Sequence, residues 1–136
     1  MAVTIPDEAD AWSDRFKRQL NRRTAFAEAA AGFDATFRFE ILPDDTYPGD
    51  PIAFSVVVED GTCPTATAGR DRDYDFALRG PYEAWRPLLE GRVDVSAAVL
   101  DGPFDLEGST IALMQHREAI SELVAAAQAV DTEYAY

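Results

Sequence analysis

The chain has 136 residues, 25 of them acidic and 12 basic, which gives a formal net charge of −13. This balance argues against nucleic-acid binding, because phosphate contacts need a net basic face. Cys63 is the only cysteine, so an internal disulfide and a cysteine-based metal cluster are both excluded. The length fits a single domain over residues 1–136.

The types of charged residue also predict the salt concentration in which the protein works. Lys17 is the only lysine, and the other basic residues are all arginine. Uncompensated negative charges repel one another, and about 1 M salt shortens the Debye length to about 3 Å. We therefore expect a halophilic protein, of archaeal type. No apolar run approaches the roughly 18 residues that span a bilayer, and no signal-peptide pattern is seen, so a cytoplasmic location is expected.

The N-terminal segment, approximately residues 7–32, is predicted to be helical. Trp12, Phe16 and Leu20 recur at four-residue spacing and so share one face of a first helix. Asn21 is placed to cap a second helix.

The first helix also carries a basic face, formed by Arg15, Arg18 and Arg22. Such a face next to an apolar one can make weak contact with an anionic membrane surface. The same arginines can instead pair with carboxylates of the protein itself.

The sheet and the remaining helices are predicted between about residues 36 and 129 (36–129). The predicted strands are Thr36–Leu42, Ile52–Val58, Thr65–Arg70 and Asp73–Arg79. Asp60 and Gly61 predict a hairpin turn between the second and third strands, since glycine accepts a positive φ. In the fourth strand the alternation predicts that Tyr74, Phe76 and Leu78 point inward.

The C-terminal third mixes helices with one short strand. Pro81 is placed to open a short helix, which Pro87 must end or kink. The predicted apolar face of that helix consists of Tyr82, Trp85, Leu88 and Leu89. A further helical turn or two is predicted over Val93–Val99, and a strand over Pro103–Glu107.

Ser109 is expected to cap a final helix that continues to about Ala129. One stripe of this helix is formed by Leu113, His116, Ile120, Leu123, Val124 and Ala127. His116 is the only histidine, so a histidine-based metal site is excluded. The sequence points to no nucleophile near it and to no phosphate-binding glycine loop. We therefore predict no catalytic residues, no metal site and no cofactor.

One stretch carries a family resemblance: YEAWRPLLEGRVDVSAAVLDGPFDLEGS, residues Tyr82–Ser109. It has a leucine-containing helix, a glycine, an aspartate, an alanine-containing turn, a second glycine, a short alternating strand and a third glycine. These positions are Leu88, Leu89, Gly91, Asp94, Ala97, Ala98, Gly102, Phe104, Leu106 and Gly108. The pattern resembles the SCP2-like (sterol carrier protein 2) lipid-binding domains.

The resemblance implies an α+β fold, with a twisted, mostly antiparallel five-stranded sheet that helices cover on one face. It also implies an apolar tunnel between sheet and helices that accepts acyl chains, sterols or other lipids. The tunnel wall would consist of Phe54, Val56, Trp85, Leu88, Leu89, Phe104, Leu106, Leu113, His116 and Ile120.

The predicted function is thus non-catalytic binding or carriage of an acyl or isoprenoid ligand. Two alternatives stay open. One is an accessory interaction domain with a filled core and no ligand. The other is an enzyme of the isomerase or acyl-transfer type, because SCP2-like domains also occur attached to enzymes.

Overall fold

The structure is a computed structural model that describes residues 2–5, 7–69, 72–93 and 102–136. The strands are β1 (Val3–Ile5), β2 (Asp34–Leu42), β3 (Ile52–Glu59), β4 (Thr62–Ala68), β5 (Phe76–Pro81), β6 (Asp105–Glu107) and β7 (Thr132–Tyr134). The helices are α1 (Ala9–Arg22), α2 (Thr24–Ala29), α3 (Tyr82–Leu89), α4 (Thr110–Gln115) and α5 (Arg117–Ala129). The predicted α+β fold is confirmed.

Five strands form the main sheet, in the order β4-β3-β2-β5-β6. All neighbouring pairs are antiparallel except β2 and β5, which run parallel. The turn between β3 and β4 has positive φ at both Asp60 (44°) and Gly61 (79°), as a tight hairpin requires. A Cβ at Gly61 would lie 2.5 Å from the carbonyl oxygen of Ala27, so helix α2 also demands glycine there.

The two faces of the main sheet differ in chemistry. Phe39 of β2 lies opposite Phe54 of β3 and Leu78 of β5, so these side chains share the face that the helices cover. The other face carries Arg38 and Glu40 of β2 and Arg79 of β5. Strand alternation thus places the apolar core on the helix side only.

Two local predictions are wrong because distant partners decide the conformation. The Asn21 side chain does not cap α2; it donates to the carbonyl oxygen of Cys63 (2.9 Å) and accepts from its amide (2.8 Å), joining α1 to β4. Tyr74 does not point inward. Its ring lies beneath the guanidinium groups of Arg38 (4.4 Å) and Arg79 (5.8 Å), on the polar face of the sheet.

The predicted final helix is divided in two. Ser109 caps its start as expected, because its hydroxyl accepts from the Ala112 amide at 3.3 Å. His116 then leaves helical geometry (φ −115°, ψ 25°), and the chain continues as α5. The turn predicted over Val93–Val99 lies, beyond its first residue, outside the described residues.

A second, two-stranded sheet joins the ends of the described chain. β1 and β7 pair in parallel, with Ile5 beside Tyr134. The Tyr82 hydroxyl of α3 donates to the Ile5 carbonyl oxygen (3.2 Å) and lies 3.3 Å from the Tyr136 amide, which donates to it. These hydrogen bonds therefore tie both ends of the described chain to the start of α3.

Candidate functional site

A cavity of about 480 Å³ lies between the apolar face of the main sheet and the helices above it. The sheet supplies its floor, chiefly through Phe37, Phe39, Phe54, Phe76 and Leu78. Residues of helices α1, α3, α4 and α5 supply most of the remaining lining. The lining is almost entirely apolar, and the volume falls within the roughly 300–1,000 Å³ of typical small-molecule sites.

The two tryptophans of the chain both line this cavity. The indole N–H of Trp85 donates to the carbonyl oxygens of Glu40 and Gly80, each at 3.0 Å. The indole N–H of Trp12 donates to the Thr132 hydroxyl at 2.9 Å. Because both N–H groups already have partners, the indoles offer the cavity only apolar surface.

Phe104 supports the cavity wall from behind. Its ring meets the edge of Trp85, with centroids 5.0 Å apart at 87°. It packs directly over Gly80, where an added Cβ would lie 2.5 Å from the ring. Phe104 is buried but does not line the cavity.

The cavity opens between β6 and α4. Leu106 of β6 and Met114 of α4 line it and are 44 % and 71 % exposed, so they mark its mouth. Ile111 of α4 is 70 % exposed and does not line the cavity. Apolar surface therefore continues from the interior onto the outside of the protein.

Strand β6, at the mouth of the cavity, is held in place by contacts on the polar face of the sheet. Arg79 donates to Glu107 at 2.7 Å, and the Tyr74 hydroxyl lies 2.9 Å from the same carboxylate. These two contacts hold the pKa of Glu107 below its usual value. The ionised carboxylate thus fixes the strand that carries Leu106.

Few polar groups reach the cavity. Thr110, Arg117 and Ser121 are the side chains with polar atoms among the described lining residues, apart from the bonded indoles, and Arg117 alone is charged. Cys63 lies elsewhere, buried beneath α1, where burial raises its thiol pKa to about 11 and keeps it protonated. The lining offers no thiol, imidazole or carboxylate within the described residues.

The sequence-predicted wall residues separate into two groups. Those that line the cavity are Phe54, Trp85, Leu88, Leu89, Leu106, Leu113 and Ile120. Val56, Phe104 and His116 do not. Val56 is packed into the core, and the His116 ring stacks on Phe33, with centroids 4.0 Å apart at 12°.

Sequence reasoning missed part of the lining. The sequence predicts Trp12 and Phe16 only as part of one helix face and Phe37 and Phe39 only as part of a strand, whereas all four line the cavity. The inward alternation of β2 was the available signal, because inward residues of a central strand lie over the middle of the sheet. Arg117, next to the break in the last helix, also lines the cavity.

The basic face of α1 lies away from this lining. Arg18 pairs with Asp14 at 3.0 Å, one turn earlier on the helix, and Arg15 also has an interaction partner. Contact of Arg15, Arg18 and Arg22 with a membrane surface stays a prediction. None of the helices in the described ranges is both long enough and apolar enough to cross a bilayer.

Comparison with known proteins shows which solved structures this chain resembles. A crystal structure of sterol carrier protein 2 is 29% identical over 89% of this chain and 96% of its own, with a TM-score of 0.79. A solution structure from Thermus thermophilus, described as possibly a sterol carrier protein, is 28% identical over 90% of this chain and 88% of its own, with a TM-score of 0.78.

A more distant structure, the apo form of sterol carrier protein 2 from Yarrowia lipolytica, shares the fold at 18% identity, covering 90% of this chain and 95% of its own (TM-score 0.55). A search of curated proteins gave no match. The sequence profile described as the SCP-2 sterol transfer family matches residues 8–121, most of the chain. The resemblance seen in the sequence is thereby confirmed, and the chain belongs to the SCP-2 sterol transfer family.

Proposed function

We propose that this protein binds and carries the apolar chain of a lipid-like ligand, acyl or isoprenoid, in the cavity between sheet and helices. The observation that carries the proposal is the cavity of about 480 Å³ with an almost wholly apolar lining. Family membership and the likeness to sterol carrier protein 2 support the same class of ligand.

The energetics allow such a ligand to bind without a strong polar anchor. Burial of one methylene group contributes about 0.8 kcal/mol, so a sixteen-carbon chain contributes about 13 kcal/mol gross. Association costs about 4–15 kcal/mol. The balance permits micromolar affinity from the chain alone.

The bound molecule is carried unchanged in this proposal. The Thr110 and Ser121 hydroxyls of the lining would need an adjacent general base to act as nucleophiles, and the described lining has no imidazole, carboxylate, thiol or amine. His116, the sole histidine, has its ring against Phe33 and not in the cavity. These placements favour a carrier over an isomerase or acyl transferase.

The competing proposal is an accessory interaction domain with a filled core. It requires that the side chains over the main sheet interlock. The open space above Phe39 and Phe54 and the exposed mouth at Leu106 and Met114 favour the carrier instead.

Copurified lipid tests the proposal directly. The protein should be purified at high salt and examined by native mass spectrometry and by organic extraction. We expect a bound apolar molecule, or uptake of an environment-sensitive fluorescent fatty acid by the delipidated protein. A protein that is lipid-free and fails to enhance the probe's fluorescence at low and multimolar KCl would support the accessory domain instead.

A further inference from the structure

We propose that Arg117 is the head-group residue of the cavity and gives the protein a preference for ligands with an anionic head. The shared chemistry is a carboxylate or phosphate monoester on a single long chain. This inference rests on the proposed function and adds the class of head group to it.

The position of Arg117 gives the ligand a direction. It is the one charged side chain among the described lining residues, and it is exposed. Trp12, Phe16 and Phe54 line the same cavity and are at most 5 % exposed. An amphiphile would therefore place its tail among the buried rings and leave its head at the solvent side, beside Arg117.

Two hydroxyl groups accompany the guanidinium. Ser121 lies one helical turn after Arg117 on α5, and Thr110 begins α4 across the break at His116. Both line the cavity. Side chains with free polar atoms in the described lining are thus confined to α4 and α5, whereas the rest of the wall is apolar.

Arg117 has no carboxylate partner in the described ranges, although the chain is acidic. Acidic residues outnumber basic ones 25 to 12, and several other arginines pair with carboxylates, as Arg23 does with Glu122 of α5 at 2.9 Å. Arg117 makes no ion pair with any residue in the described ranges. The N–H groups of its planar guanidinium are therefore available to donate to a carboxylate or phosphate.

The expected size of the preference follows from the exposure of Arg117. An exposed ion pair shifts an equilibrium by up to about fivefold, since water and salt screen it. The Debye length falls from about 8 Å at 0.15 M salt to about 3 Å at 1 M. The preference should therefore be largest in dilute buffer and shrink at high KCl.

The test uses three sixteen-carbon probes with the same tail: hexadecanoate, hexadecyl phosphate and the neutral hexadecanol. Each displaces a neutral fluorescent probe from delipidated wild-type protein, Arg117→Gln, Arg117→Lys and Arg22→Gln at pH 8. Arg22→Gln is the matched control, because Arg22 is exposed on α1, makes no ion pair in the described ranges and does not line the cavity. The readout is the ratio of dissociation constants, neutral to anionic.

We expect Arg117→Gln to lower that ratio by about fivefold and leave the hexadecanol constant unchanged. Arg117→Lys should keep part of the ratio, and Arg22→Gln all of it. Comparison of the loss of affinity for hexadecanoate with that for hexadecyl phosphate shows which anionic head the site prefers. An unchanged ratio in Arg117→Gln, or an equal fall in Arg22→Gln, overturns the inference. Wild-type protein that binds none of the probes, hexadecanol included, overturns the proposed function itself.

Discussion

Substitution of Leu113 by Trp separates an open cavity from a filled core. Leu113 lines the cavity from α4. The tryptophan side chain has about six more heavy atoms than that of leucine; if these displace about three methylene groups of the ligand, the loss is about 2.4 kcal/mol at about 0.8 kcal/mol each. We expect Leu113→Trp to bind a sixteen-carbon ligand about 60-fold more weakly.

The same substitution should cost little stability, because the added ring enters space of about 480 Å³ that no side chain occupies. In a filled core, overpacking costs about 1–3 kcal/mol. Ile111→Trp is the matched control: it lies on the same helix, is largely exposed and does not line the cavity. Fluorescent fatty-acid titration measures binding, and urea unfolding measures stability. Undiminished binding in Leu113→Trp, or destabilisation by about 1–3 kcal/mol relative to Ile111→Trp, would refute the reasoning.

Three further predictions follow from contacts around the cavity and from the net charge. Contacts with Arg79 and Tyr74 lower the pKa of Glu107, so its contribution to stability is present above its unfolded pKa and lost as the pH falls through the folded value. Urea midpoints of Glu107→Gln should therefore fall less between about pH 7 and pH 3 than those of wild type, and parallel curves would count against this. Gly80→Ala puts a Cβ against the Phe104 ring and should cost about 1–3 kcal/mol of unfolding free energy, measured by urea denaturation; a neutral effect would mean that the ring moves aside freely. The net charge of −13 predicts a higher thermal midpoint in multimolar KCl than in dilute buffer, and equal midpoints would contradict a halophilic protein.

The sequence predicted those features whose determinants are local. The pattern of Thr36–Leu42 predicted a strand, Asp60 and Gly61 predicted the hairpin, and Ser109 predicted a helix start. Each of these depends on residues within a few positions of one another, so a single stretch of chain carries the whole signal.

The errors arose where a distant residue decides the conformation. Asn21 has the chemistry of a helix cap, but its partner Cys63 lies 42 positions away. His116 follows the apolar period of the final helix, yet the helix breaks there and its ring stacks on Phe33. No local pattern contains these partners.

The candidate site was harder to predict than the fold for a related reason. Periodicity identifies side chains that point inward, and Val56 and Phe54 satisfy it equally. Whether an inward side chain meets another side chain or an opening depends on how helices lie over the sheet. Only the tertiary arrangement separates Phe54, which lines the cavity, from Val56, which does not.

The anchored indoles have a practical consequence. Trp12 and Trp85 are the only tryptophans in the chain, and both line the same cavity while their N–H groups are bonded elsewhere. Intrinsic emission of the unlabelled protein should therefore change in wavelength and intensity when an alkyl chain replaces whatever occupies that space. Tryptophan fluorescence can therefore report whether the cavity is occupied, at any salt concentration and without an added dye.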